Sequence, residues 1–215
     1  MGVLFGTEVQ PEAVGKKEIM SKIITIDVVR HGEKNGDQMT ERGVAQITAT
    51  GLEMARIFGQ IKMDRLIYSG ANRTLQAATL FKEGFEFEGE LEENKMFGFG
   101  NLIEPAGGIQ RVLAEIAQVQ ANGDTVAHAL EISNYAVMAR LQIAEVLVEL
   151  AKDMASKGQT WAIVASHGNY SEMATVDPQM PYGICEGDRV RYIIREDGRI
   201  LSTTLHRCPI AGGRN

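Results

Sequence analysis

The most restrictive feature of this sequence is a run of mostly apolar and β-branched residues, 23–29, that stops abruptly at Arg30 and His31. Such runs are typical of a strand that is buried on both faces in the middle of a sheet. After a polar loop, Thr40 has the character of an N-cap, and apolar residues follow at helical spacing as far as Gly59. The order of strand, loop and helix predicts one unit of an α/β sheet.

The same order recurs further along the chain. Residues 65–68 predict a second short strand, and a helix is predicted over 71–82. A long helix over 135–156 precedes another buried strand at 161–165. Strands that alternate with helices indicate a sheet covered on both faces. We therefore predict an α/β fold, a three-layer α/β/α sandwich with a mostly parallel central sheet.

Three stretches depart from this alternation. Residues 1–21 show no periodicity, and we interpret them as a leader outside a single domain that spans 22–215. Residues 85–130 carry weaker signals, and we predict that they form a small insertion or cap. Residues 188–205 predict a hairpin near the end of the chain.

Composition excludes some classes of partner and suggests a compartment. With 28 acidic and 22 basic residues the net charge is −6, whereas nucleic acids and anionic membranes require a broad basic surface. The two cysteines form no CxxC pair, which suits a reducing compartment. We see neither a signal peptide nor an apolar stretch of the roughly 18 residues needed to span a bilayer. We therefore expect a cytoplasmic protein without nucleic-acid or membrane partners.

Two of the four histidines stand where ligands bind in α/β sheets. His31 and His167 each follow the end of a predicted buried strand, and each precedes a glycine, beside which a ligand can approach the backbone closely. Ligands in such sheets bind beyond the carboxyl ends of the strands. His128 and His206 have no such placement, and we interpret them as surface or structural residues. The pattern predicts a site that contains His31 and His167.

Arginines are predicted at the same sheet edge. Arg30 is adjacent to His31, and Arg73 lies at the start of the helix after the second strand. Guanidinium groups bind phosphoryl oxygens bidentately, and they disfavour the protonated form of a nearby imidazole, which attacks phosphorus only when neutral. No zinc-binding or dinucleotide-binding pattern is present. We expect a small phosphorylated substrate or a phosphoprotein, and no metal or cofactor.

Four motifs together resemble the histidine phosphatase superfamily, which is also called phosphoglycerate mutase-like. They are Val29-Arg30-His31-Gly32-Glu33, Thr40-Glu41-Arg42-Gly43 with Gln46, Ser69-Gly70-Ala71-Asn72-Arg73, and Ser166-His167-Gly168. The likeness covers residues 22 to 205. It implies that His31 is transiently phosphorylated, that Arg30, Arg73 and His167 bind the phosphoryl group, and that no metal is needed.

The resemblance also bears on the general acid. The family often carries this acid in a pattern Leu-x-Glu-x-x-Phe-Gly, and residues 91–98 match it with one residue too many. Glu93 is the best match, with Glu92 and Glu104 as alternatives. The family's asparagine six residues after the histidine is replaced here by Asp37.

Three functions are compatible with these residues. A phosphatase that acts on phosphomonoesters or on protein phosphohistidine is favoured. A phosphoglycerate-type mutase is an alternative, although the short segment 85–130 counts against the enclosed pocket that it needs. A regulatory module that binds phosphate with little turnover is the third.

Overall fold

A six-stranded mixed sheet forms the centre of the protein, in a computed structural model that describes residues 21–59, 61–98 and 109–210. The strands lie in the order β5-β4-β6-β1-β7-β8. Their bounds are β1 Ile23–Arg30, β4 Arg65–Tyr68, β5 Leu91–Glu93, β6 Trp161–Ser166, β7 Arg189–Arg195 and β8 Ile200–His206, and a separate small hairpin pairs β2 Lys34–Asn35 with β3 Gln38–Met39. The first four strands in the order are parallel, and β7 pairs antiparallel with both of its neighbours, β1 and β8.

Helices cover both faces of the sheet. The helices are α1 Glu41–Phe58, α2 Asn72–Gly84, α3 Ile109–Asn122, α4 Val126–Ile132, α5 Asn134–Ser156 and α6 Gly168–Glu172. Helices α1 and α2 pack on one face, and α5 packs on the other with α3 and α4 beside it. This arrangement confirms the predicted three-layer sandwich with a mostly parallel sheet.

The position of strand β1 explains why both of its faces carry apolar residues. Ile26 and Val28 point into the core under α5, whereas Val29 points into the core under α1 and α2. All three side chains are buried. A strand with a helix layer on each side has no solvent-exposed face, so apolar residues stand on both of its faces and the polar Asp27 among them is buried as well.

Helix α1 begins and ends at the residues that the sequence predicts. The Thr40 hydroxyl accepts a hydrogen bond from the Gly43 N–H at 3.1 Å, which caps the start of α1. Gly59 follows the last helical residue with a φ of 55°, a left-handed value that glycine adopts without strain.

Within the described residues, no helix combines the length and apolar character needed to cross a membrane.

Two short helices, α4 and α6, were not predicted. Helices of seven and five residues are too short to show a reliable helical period in the sequence. The predicted leader lies outside the described residues except for its last residue. Segment 85–130 contributes β5 to the central sheet, and its role as a cap stays a prediction because residues 99–108 are not among those described.

A buried ion cluster lies between the sheet and α1. Asp27 is fully buried, and its carboxylate accepts hydrogen bonds from Arg189 Nη1 at 2.8 Å and from Arg191 Nε and Nη2 at 3.0 and 2.8 Å. The Trp161 indole donates a further bond at 2.9 Å. Asp27 therefore joins β1 to β6 and β7 through side chains as well as backbone.

The substitution Asp27→Asn is expected to lower the free energy of unfolding by roughly 3–5 kcal/mol, because it leaves buried cations without their counter-charge. Urea denaturation measures the change. Asp197→Asn is the control, since this aspartate pairs with Arg195 at the half-exposed turn between β7 and β8 and should matter little. Equal losses in the two variants would show that the buried pairing is unimportant.

Candidate active site

The carboxyl ends of three neighbouring strands bring the candidate residues together. His31 follows β1, His167 follows β6, and Ser69 follows β4. Strand β6 lies between the other two, and the His31 N–H donates to the Ser166 carbonyl at 3.0 Å. Both imidazoles are buried, with ring centroids 5.4 Å apart and planes at 77°.

The hydrogen bonds of His31 assign its tautomer. Nδ1 lies 2.7 Å from the Gly32 carbonyl oxygen, which can only accept, so Nδ1 carries the proton. Nε2 then has a free lone pair, and it accepts a hydrogen bond from Arg73 Nε at 3.0 Å. Nε2 is therefore the nitrogen that could act as a nucleophile.

Arg73 links the two histidines. It lies in the first turn of α2, and its Nη2 approaches Nδ1 of His167 at 3.4 Å. Its Nη1 contacts an Asp37 carboxylate oxygen at 2.5 Å. On the other side of its ring, His167 Nε2 lies 3.0 Å from the Ser69 hydroxyl. The structure thus brings together three of the predicted residues, namely His31, Arg73 and His167.

Arg30 lies beside this group but faces a different loop. Its Nη1 donates to the Ile184 carbonyl, and its Nη2 contacts the Glu186 carboxylate at 2.6 Å. The side chain passes over Gly168, where an added Cβ would lie 3.0 Å from Arg30 Cδ. A side chain at position 168 would therefore crowd Arg30, which would have to move by a few tenths of an ångström. The hydrogen bonds described for Arg30 go to the 184–186 loop and not to either imidazole.

Burial and positive charge keep both imidazoles neutral. Burial is the largest cause, and it lowers the pKa of His31 to about 4 and the pKa of His167 to about 3. Arg73 and Arg30 disfavour a further positive charge and lower both pKa values as well. At neutral pH, Nε2 of His31 keeps its lone pair.

The three candidate acids have different positions. Glu93 ends β5 at the same sheet edge, where its exposed carboxylate accepts from the Tyr68 hydroxyl at 3.2 Å and lies 3.3 Å from Lys95 Nζ. Glu92 is bound by Arg65 at the opposite end of β4. Glu104 lies outside the described residues. Of the two glutamates that the structure places, Glu93 is the one at the edge that holds the histidines.

Sequence reasoning missed one buried carboxylate, Glu172. It ends α6, and it accepts hydrogen bonds from the N–H groups of Gly183 and Ile184, both at 2.9 Å. Burial raises the pKa of Glu172 to about 7. Because the Ile184 carbonyl in turn receives Arg30, Glu172 supports the loop that holds this arginine. A single glutamate after Ser166-His167-Gly168 gives no sequence signal for burial.

Metal-binding side chains are not grouped in this part of the chain. Among the described residues, no three His, Cys, Asp or Glu side chains are close enough together to hold a metal ion. The positive charges near His31 come from Arg73, Arg30 and Lys34, of which Arg73 has the largest effect on its pKa.

Both site histidines are expected to stay neutral in the unliganded protein down to about pH 5, since their pKa values lie near 4 and 3. An NMR titration of the imidazole signals, assigned with His31→Ala and His167→Ala, measures the midpoints against free imidazole in the same sample. A midpoint near 6.5 for either residue would contradict the role of burial.

Solved structures with the same fold are found across most of the chain. A phosphoserine phosphatase from Entamoeba histolytica, in complex with 3-phosphoglyceric acid, has a TM-score of 0.57 at 15% identity, and the match covers 87% of this chain and 98% of that one. A phosphoglycerate mutase from Bacillus anthracis has a TM-score of 0.55 at 17% identity, with 87% and 93% covered. The protein histidine phosphatase SixA, complexed with tungstate, has a TM-score of 0.54 at 10% identity, with 85% and 94% covered.

Sequence comparison alone does not reach these proteins. No family model and no curated protein matches the sequence. The likeness therefore rests on the arrangement of the sheet and helices, at identities of 10 to 17%. By that arrangement, the chain has the α/β fold that these three solved structures share, the phosphoglycerate mutase-like fold.

Proposed function

We propose that this protein is a phosphatase that hydrolyses phosphomonoesters through a phosphohistidine formed on His31. One observation carries the proposal: a neutral, buried imidazole directs the lone pair of Nε2 at the guanidinium of Arg73. The guanidinium is where a phosphoryl anion would bind. Nε2 of the imidazole then faces the phosphorus atom that it would attack. The fold is shared with phosphatases and with a mutase, which supports the same class of chemistry.

Substrate binding would begin with an exchange of partners at Arg73. In the free protein, Arg73 Nε occupies the lone pair of His31 Nε2. A phosphoryl oxygen is a stronger, charged acceptor, so it can take this N–H and release the lone pair. Binding and activation of the nucleophile are thus one event. His167, whose Nδ1 faces the same guanidinium, borders the position of the phosphoryl group.

The first chemical step transfers the phosphoryl group to His31. The lone pair of Nε2 forms an N–P bond while the bond from phosphorus to the ester oxygen breaks, and the leaving alkoxide takes a proton from an acid. The imidazole gains positive charge, which the hydrogen bond from Nδ1–H to the Gly32 carbonyl stabilises. Arg73 stabilises the negative charge on the equatorial oxygens.

The second step returns the enzyme to its starting state. Water attacks phosphorus, the N–P bond breaks, and its electron pair returns to Nε2. The carboxylate that protonated the leaving group accepts the proton of the water. Glu93 is proposed for this role because it lies at the same sheet edge and is exposed to solvent. The proposed reaction uses no metal, since Arg73 provides the positive charge.

Two other functions use the same geometry. A mutase would return the phosphoryl group from His31 to an alcohol instead of water, and a regulatory module would bind phosphate with little turnover. Nitrophenyl phosphate turnover separates the two enzymes from the module, and isomerisation of phosphoglycerate separates the mutase from the phosphatase. Protein phosphohistidine is a further substrate class that the same nucleophile could serve. The cytoplasmic location stays a prediction.

The variant His31→Ala should lose about three orders of magnitude or more of nitrophenyl phosphate turnover, measured with EDTA present, because a covalent nucleophile is removed. Its thermal unfolding should remain cooperative. His128→Ala is the matched control, since this histidine is half exposed on α4 and pairs with Asp124. Retention of more than about a tenth of the activity would exclude His31 as the nucleophile. A requirement for added metal would exclude the metal-free reaction.

The variant Glu93→Gln should hydrolyse alkyl phosphates much more slowly than the wild type does, whereas hydrolysis of nitrophenyl phosphate should change less. The reason is that only the alkyl leaving group needs to be protonated. The ratio of kcat values for the two substrates is the measurement. Glu92→Gln and Glu104→Gln serve as comparisons, and the variant with the selective defect identifies the acid. Equal loss on both substrates would assign Glu93 to binding or structure instead.

A further inference from the structure

Both arginines of the proposed site already hold a carboxylate. Arg73 Nη1 contacts Asp37 at 2.5 Å, and Arg30 Nη2 contacts Glu186 at 2.6 Å. A site that only had to attract a phosphoryl dianion would gain from leaving these charges unpaired. The two carboxylates therefore reduce the attraction for anions at this edge of the sheet.

Asp37 is held in place by more than one contact. It lies in the turn between β2 and β3, and its second carboxylate oxygen accepts from the Asn72 N–H at 3.3 Å at the start of α2. Its side chain is 48% exposed, so it faces both Arg73 and the solvent from which a substrate arrives. An anion bound to Arg73 would therefore have this carboxylate as a neighbour.

Binding of the phosphoryl group does not require Asp37 to leave. Arg73 has separate nitrogens for its partners: Nε faces His31, and Nη1 faces Asp37. The phosphoryl oxygen needs only the N–H that now faces His31. Asp37 can then remain on Nη1, one guanidinium group away from the bound phosphorus.

We propose that Asp37 is a specificity-determining residue that disfavours phosphoesters whose alcohol carries a second negative charge near the phosphate. This inference rests on the proposed phosphatase function. The two arginines and the two carboxylates together carry no net charge, so the bound phosphoryl dianion leaves no cation of these pairs to offset a further negative charge. A substrate carboxylate would meet Asp37 without a cation to offset it. Esters with neutral or cationic alcohols meet no such repulsion.

Two lysines, Lys34 and Lys95, lie near this edge of the sheet, and neither offers a free partner for a second negative charge on the substrate. Lys95 is already 3.3 Å from the Glu93 carboxylate. Lys34 is exposed on β2, where its charge contributes to the lowered pKa values of His31 and His167. A single solvated lysine offers little to a second anionic group.

The test compares three alkyl phosphates of similar length, whose alcohol parts differ in charge. They are phosphoethanolamine with a cationic alcohol, propyl phosphate with a neutral alcohol, and the phosphate ester of 3-hydroxypropionate with an anionic alcohol. In the wild type, kcat/KM should be lowest for the anionic ester. Charges about 6 Å apart, at an effective dielectric constant of roughly 40 to 80, correspond to about a threefold to tenfold preference for the neutral ester. Asp37→Asn should remove most of this preference, and Asp37→Glu should retain it.

A matched control separates a local effect from a change in net charge. Asp197→Asn removes the same charge at the opposite end of the sheet, because β7 ends beside the start of β1. It should leave the preference unchanged. A wild type that prefers the anionic ester, or an Asp37→Asn variant with an unaltered preference, would overturn the inference.

The proposed function and this inference fail in different ways. If no ester is hydrolysed, including nitrophenyl phosphate, the phosphatase proposal is wrong. Calorimetric affinities of the same three esters for the wild type and Asp37→Asn then decide the inference separately. A weaker affinity for the anionic ester that recovers in the variant supports Asp37, and equal affinities overturn it.

Discussion

The parallel pairing of β1 with β6 is the interaction on which the site depends. The register sets Arg30 opposite Ser166, so the residues that follow, His31 and His167, leave the sheet side by side. The bond from the His31 N–H to the Ser166 carbonyl extends this pairing one residue beyond the strand. A shift of one residue in this register would direct one of the two side chains to the other face.

Burial then determines the chemical state of these histidines. Water would stabilise a protonated imidazole, and its exclusion around His31 and His167 favours the neutral form. The guanidinium of Arg73, which proteins do not deprotonate, lies beside them and is paired with Asp37 at the solvent boundary. The site therefore places one cation between two neutral bases, an arrangement that attracts an anion without protonating the nucleophile.

The positions of His31, His167 and Arg73 could be predicted because each depends on a strand end, a local feature that the sequence shows. The neighbours of these residues could not be predicted in the same way. The loop that receives Arg30 lies more than 150 positions away in the chain. The replacement at Asp37 was visible in the sequence, but its contact with Arg73 requires the folded turn between β2 and β3. The role of Glu93 stays a proposal, since its position at the sheet edge is compatible with other roles.

The buried carboxyl of Glu172 makes the stability of the protein depend on pH. Its pKa is raised from 4.5 to about 7 in the folded protein, so between these values folding takes up a proton. The stability that the protonated carboxyl contributes is complete below about pH 4.5 and is lost as the pH rises through 7. The full span amounts to about 3 kcal/mol. Near neutral pH, Glu172 is therefore partly protonated and partly charged. Its hydrogen bonds from the N–H groups of Gly183 and Ile184, which hold the loop that receives Arg30, differ in strength between the two forms.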